Sequence, residues 1–113
     1  MSNQFYVTEN LSELHEVVKS GLVFDAQLKV SNLLMILEIL WNVLKNKDKK
    51  CKKCFSGKTL KRIKKHKKFL KFLFNKKKSL DERKAKFINA DEKFKGMVAR
   101  VLNEFLSNCV EKR

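Results

Sequence analysis

The chain has 113 residues, 43% of them hydrophobic, and a formal net charge of +15. That apolar share, with nine Phe, excludes a disordered polycation, and the longest apolar run, five residues over 33–37, excludes a membrane span, which needs about 20. Proline is absent and glycine occurs three times, so an all-α fold is expected: a single domain forming a compact bundle or orthogonal array of about four to six helices with a basic helix face.

Taken in order, residues 1–7 carry no helical pattern and are expected to be frayed or loosely docked. Asn10-x-x-Glu13 has the residue types of a helix-capping pair, with Thr8 as the rival cap. Leu11, Leu14, Val17 and Val18 then share one helical face, and Gly21 suits the left-handed position past the last turn. His15 sits beside that stripe as a surface or boundary residue. Residues 22–28 fit either a short helix or an extended connector. Ser31 or Asn32 is placed to cap the next helix, unless the helix runs on from Asp25. From Leu33 to Leu44 apolar residues occupy nearly the whole circumference, with Glu38, Asn42 and Lys45 as one polar strip. Such a helix is central to its domain. Trp41 is expected in the core, the alternative being an exposed stacking residue.

Residues 45–78 hold 17 Lys or Arg against one acid, Asp48, whereas residues 1–44 carry a net −3. Such asymmetry marks a polyanion-binding part joined to a packing part. Lys45 to Gly57 loses the helical period and is expected to be a loop or a frayed helix end; it contains Cys51-Lys-Lys-Cys54. Lys58 to Phe74 resumes the period as one helix. At about 100° per residue, Leu60, Ile63, Leu70, Leu73 and Phe74 form its buried arc, with His66 in the middle. Lys61, Lys64, Lys65, Lys68 and Lys71 form a charged face that includes Phe72. No acid interleaves with these lysines, so their repulsion along the helix goes unrelieved unless an anion settles on them. The candidate phosphate-binding set is Lys58, Lys61, Lys64, Lys65, Lys68, Lys71, Lys76, Lys77 and Lys78. Phe72 joins it as a residue that stacks on a base or wedges a step, or is simply half-buried.

Asn75 and Lys76-Lys77-Lys78 read as a turn. Ser79-x-x-Glu82 is a capping box, and Asp81 also favours a helix N-terminus. The short helix it opens has a weak stripe of Leu80, Arg83, Ala85 and Phe87. Asn89-x-x-Glu92 reads as a second box. The helix that follows carries Phe94, Met97, Val98, Val101, Leu102, Phe105 and Cys109 at spacings of three and four.

Lysine outnumbers arginine, which stands only at positions 62, 83, 100 and 113. Lysine meets phosphate as a point charge, whereas bidentate reading of guanine is an arginine habit. The expected function is therefore sequence-tolerant binding or condensation of nucleic acid, double-stranded DNA favoured. The alternative is a helical adaptor or homodimer, or a binder of a host protein, using the acidic leucine-rich N-terminal third or the 94-to-109 stripe, with the lysines serving nuclear entry. A third reading docks the protein on anionic membrane through Phe69, Leu70, Leu73 and Phe74.

Cys51, Cys54 and His66 have C-x2-C-x11-H spacing, and Cys109 or His15 would complete a small zinc module. His66 falls in the buried arc and Cys109 continues an apolar stripe, so no metal is assigned. Nor is any cofactor. No catalytic motif is present; Ser56-Gly57-Lys58-Thr59 lacks the upstream glycine of a phosphate loop, and the chain is read as a non-enzyme. The odd cysteine count and the lack of a signal pattern imply an intracellular protein that is not secreted.

The run Ile36-Leu37-Glu38-Ile39-Leu40-Trp41-Asn42-Val43-Leu44-Lys45 leads through Lys58-Thr59-Leu60-Lys61-Arg62-Ile63-Lys64-Lys65-His66-Lys67-Lys68-Phe69-Leu70 to Lys76-Lys77-Lys78-Ser79-Leu80-Asp81-Glu82-Arg83-Lys84. This resembles small basic proteins of Polinton-like and adintovirus-like DNA elements over residues 36–84. The resemblance implies a double-stranded DNA virus or virus-derived element, and a protein that accompanies packaged DNA in the virion or host nucleus. Those proteins often end in a Gly-rich hydrophobic tail. Here residues 91–110 instead have the pattern of a capped amphipathic helix, and the Cys51/Cys54 pair is a second departure.

Overall fold

The structure is a computed structural model that describes residues 8–45 and 55–110, with backbone alone for 8–10, 109 and 110. The fold is all-α, and among the described residues there is no strand. The described residues form six successive helices: α1 (Thr8–Ser20), α2 (Val30–Lys45), α3 (Gly57–Lys65), α4 (Lys67–Leu73), α5 (Leu80–Ile88) and α6 (Glu92–Glu104). A π-helical segment, Phe105–Val110, continues α6. Among the described residues, no helix is long and apolar enough to cross a membrane.

α2 and α6 are the central elements. α2 packs on α1, α3, α5 and α6, and α6 in turn on α1 and α3. Leu33, Ile36, Leu37, Ile39, Leu40 and Val43 of α2 are all buried, a wide apolar face consistent with a helix surrounded by others. From α6, Phe94, Met97, Val98, Val101 and Leu102 meet them, with Phe105 and Leu106 of the π-segment. The solvent side of α2 is a strip of Leu34, Glu38, Trp41 and Lys45 at spacings of four, three and four. Trp41 is thus not in the core but 37% exposed. Its phase gives the reason: it lies three residues after Glu38 and four before Lys45, on the stripe those charges hold in water.

The helix starts differ from the sequence reading in three places. α1 already begins at Thr8, which puts Asn10 inside it, and Glu13 serves α2 instead. Its Oε1 accepts from Asn32 Nδ2 at 3.0 Å and its Oε2 pairs with Lys29 at 3.6 Å. α2 begins at Val30, so Ser31 and Asn32 lie in its first turn, and Asn32 is buried in that bond to Glu13. α6 is capped by Asp91, whose Oδ1 accepts from Phe94 N at 2.8 Å. Asn89 closes α5, donating from Nδ2 to Ala85 O at 2.9 Å. At α6 the Asp91 carboxylate thus takes the place of the expected Asn89 cap. The Ser79/Glu82 box forms as expected, with both reciprocal bonds. Gly21 takes φ 76° after α1, a conformation that a side chain would strain.

Residues 22–28 form turns rather than a helix, burying Val23 and Leu28. Of the α5 stripe, Phe87 is buried, Leu80 and Arg83 are half-buried, and Ala85 is exposed. Phe94 is the hub of an aromatic group. Its ring lies 4.4 Å from Phe69, 5.5 Å from His66 and 6.1 Å from Phe87, all close to edge-on, and Phe87 stacks on Phe24 at 4.9 Å. Such pairs add about 0.5–1.5 kcal/mol each beyond the area they bury.

Candidate nucleic-acid interface

The stretch expected to be one helix from Lys58 to Phe74 is two. His66 separates α3 from α4 with φ −103° and ψ 23°, and its N–H donates to Ile63 O at 3.1 Å, a tighter bond than the α-helical one. The bend gives α4 its own axis. Leu70 and Leu73 are fully buried while Phe69 reaches Phe94. His66, half-buried against the Phe94 ring, is held by that contact in the arc where its phase put it.

The cations of both helices are in water. Lys58, Lys61, Arg62, Lys64 and Lys65 of α3 are exposed, as are Lys67, Lys68 and Lys71 of α4 and Lys76 and Lys77 in the turn that follows. Arg62 and Lys67 were not among the expected contacts: on a single straight helix Lys67 falls inside the buried arc and Arg62 just beyond its edge. Two short helices with a break between them expose both. The lysine turn is fixed by Asn75, whose Oδ1 accepts from Lys77 N at 2.9 Å and whose carbonyl accepts from Lys78 N at 3.0 Å. Between Gly57 and Lys78 there are 11 Lys or Arg and no acid. Among the described residues, no carboxylate forms an ion pair with any of them; the pair present there joins Lys29 to Glu13.

Phe72 is half-buried rather than presented. The Nζ atoms of Lys78 and Lys86 sit 5.2 and 5.4 Å from its ring centre, and Lys86 also lies 5.7 Å from that of Phe69. The ring therefore holds Lys78, itself half-buried, against the body of the protein.

One acid does serve the basic helix, at its N-terminus. Ser56 caps α3, its Oγ accepting from Thr59 N at 3.2 Å. Glu104, at the end of α6, accepts from Ser56 N at 3.0 Å and from the buried Thr59 hydroxyl at 2.8 Å. α3 has no acid in its own first turn, and Glu104 supplies the negative charge that the macrodipole favours there. It ties the start of the charged segment to the core without covering its lysines. Glu104→Ala is expected to lose about 1–3 kcal/mol by stranding those donors, read as a melting temperature lower by several degrees.

The structure also places residues of the alternative readings. The 94-to-109 stripe proposed as an interface is inside the molecule, since Phe94 through Phe105 of that stripe are buried in its core. In the acidic, leucine-rich N-terminal third, Leu14, Leu28, Leu33, Leu37 and Leu40 are buried, whereas Leu22 and Leu34 are exposed. Leu70 and Leu73, half of the set proposed to insert into membrane, are fully buried. For the zinc set, Cys51, Cys54 and the Cys109 side chain lie outside the described residues, as do the five lysines of 46–54. Comparison with protein-family models, with curated proteins and with solved structures yields no match.

Proposed function

We propose that this protein binds nucleic acid through the phosphate backbone with little regard to sequence, double-stranded DNA being the favoured form. One observation carries the reading. An acid-free set of exposed cations spans α3, α4 and the lysine turn, while among the described residues the only carboxylate bonded to this segment is directed to a helix cap. A charged face of this kind in an isolated protein is usually relieved by interleaved acids; here relief would come from phosphate. Two anchors, the Ser56 cap and the Phe69–Phe94 contact, tie the face to the helical body. The setting implied by the resemblance, a protein that accompanies packaged DNA of a viral element, belongs to the same proposal.

The test is binding to two labelled duplexes of unrelated sequence across a salt series. Equal affinities are expected. With roughly 6–10 phosphates neutralised, both should fall about 10³- to 10⁵-fold between 50 and 200 mM salt. No complex at 50 mM salt would end the reading.

A further inference from the structure

A cleft of about 450 Å³ opens between α2, the end of α4 and α5. Leu34 and Trp41 of α2 line it and are 44% and 37% exposed, while Phe74, Lys76 and Arg83 line it from the other elements. Trp41 meets Phe74 edge-on at 5.0 Å, which braces the indole. The ammonium of Lys45 lies 4.7 Å from its ring centre. Arg83 donates from Nη1 to Leu73 O at 3.3 Å, and its buried Nε–H has no acceptor among the described residues. Glu38 also lines the cleft but forms no ion pair with Lys76 or Arg83 among the described residues.

A partly exposed indole with three cations around it matches the chemistry of a nucleotide. The base would take the ring, and the phosphate the cationic groups of Lys45, Lys76 and Arg83. An apolar peptide would cover Leu34 and Trp41 but strip water from Lys76 and Arg83 with no counter-charge in return. A second copy of this chain would bring another +15 to a face already basic.

We propose that this cleft takes one unpaired base, with its phosphate, from single-stranded nucleic acid held along the adjoining lysine turn. Lys76 belongs to both the cleft and the turn, which makes the two surfaces continuous. The Lys45 ammonium moves from the ring to the phosphate as the base stacks, an exchange favoured because base stacking exceeds an exposed cation–π contact. The inference rests on the lysine–phosphate reading above and adds to it a preference for gapped or frayed DNA over intact duplex.

Trp41 is the only tryptophan, so its emission reports on this cleft alone. The full chain is titrated at 50 mM salt with an oligo-dT, an abasic oligonucleotide of equal length, and a blunt duplex. Oligo-dT is expected to quench the emission saturably, and the abasic strand, with the same phosphates, to bind about tenfold more weakly. Trp41→Ala should lose about tenfold in dT affinity, with duplex affinity moving less than twofold; Trp41→Phe should recover part of the loss. Equal binding of dT and abasic strands overturns the proposal. So does unchanged dT affinity in Trp41→Ala, or a fall in sedimenting mass in that variant, which would mark a self-association surface. Duplex binding with no dT response overturns this inference alone, whereas no binding to any form overturns the lysine–phosphate reading with it.

Discussion

With Lys64, Lys65, Lys68 and Lys71 all replaced by Gln, duplex affinity is expected to fall and native stability to rise. The two effects share one cause. Each lysine on phosphate releases about 0.9 of a counterion, so four lost contacts flatten the slope of log K against log salt by about 3.6. Between 50 and 200 mM salt that difference is worth about 10²-fold. At 50 mM the variant should bind at least about 10²-fold more weakly than the parent, and equally so on unrelated duplexes. All four side chains are exposed, and Gln is close to Lys in helix propensity, so α3 and α4 should stay folded. Removing like charges three and four residues apart relieves about 0.2–0.5 kcal/mol per pair, and a melt at low salt should move upward. Were the lysines an idle solvated face, the melt would move in the same direction while affinity stayed put. The binding curve therefore decides.

Much of the architecture was legible because hydrophobic period and capping chemistry are local. The α6 stripe from Phe94 to Leu102, the turn at Gly21 and the Ser79/Glu82 box all follow from residues within a few positions of one another. The departures came where a distant partner competed. Glu13 was expected to cap its own helix and instead bonds Asn32, 19 residues away. The Glu104 bond to Thr59 spans 45 residues, and nothing in the local pattern marks either partner. Asp91, by contrast, could have been preferred to Asn89, since it stands directly before a Glu in the first turn of the strong apolar stripe.

In the candidate site, the charge was legible and its presentation was not. A straight helix from Lys58 to Phe74 puts Lys67 in the buried arc; with the break at His66 it is exposed. That bend follows from packing of Phe69 and His66 around Phe94, contacts that no helical wheel of the basic segment contains. Trp41 is the converse case. Its exposure was written in its spacing from Glu38 and Lys45, but the general rule that large aromatics sit inside was given precedence.

Phe94→Ala is expected to be the most destabilising single change in the aromatic group, at about 3–5 kcal/mol for a buried Phe emptied to Ala. Against a typical total of about 5–15 kcal/mol, the variant would sit close to its unfolding threshold. Phe94 is buried at the meeting of α4, α5 and α6, and its ring is what Phe69 and His66 pack on. Its loss should therefore free the lysine-bearing α4 before the α2 core gives way, visible as earlier amide exchange in residues 67–73 than in 36–43. Phe94→Leu keeps most of the volume and should lose appreciably less. The lysines are untouched in both variants, so duplex should still bind the folded form. Excess duplex at about 100 times Kd would then restore about 2.7 kcal/mol by mass action. A melt of Phe94→Ala that matches the parent would show that the aromatic group does not hold α4. A melt that falls but does not respond to duplex would separate the fold from the proposed binding, leaving the helical frame intact as an account and the lysine face without its ligand.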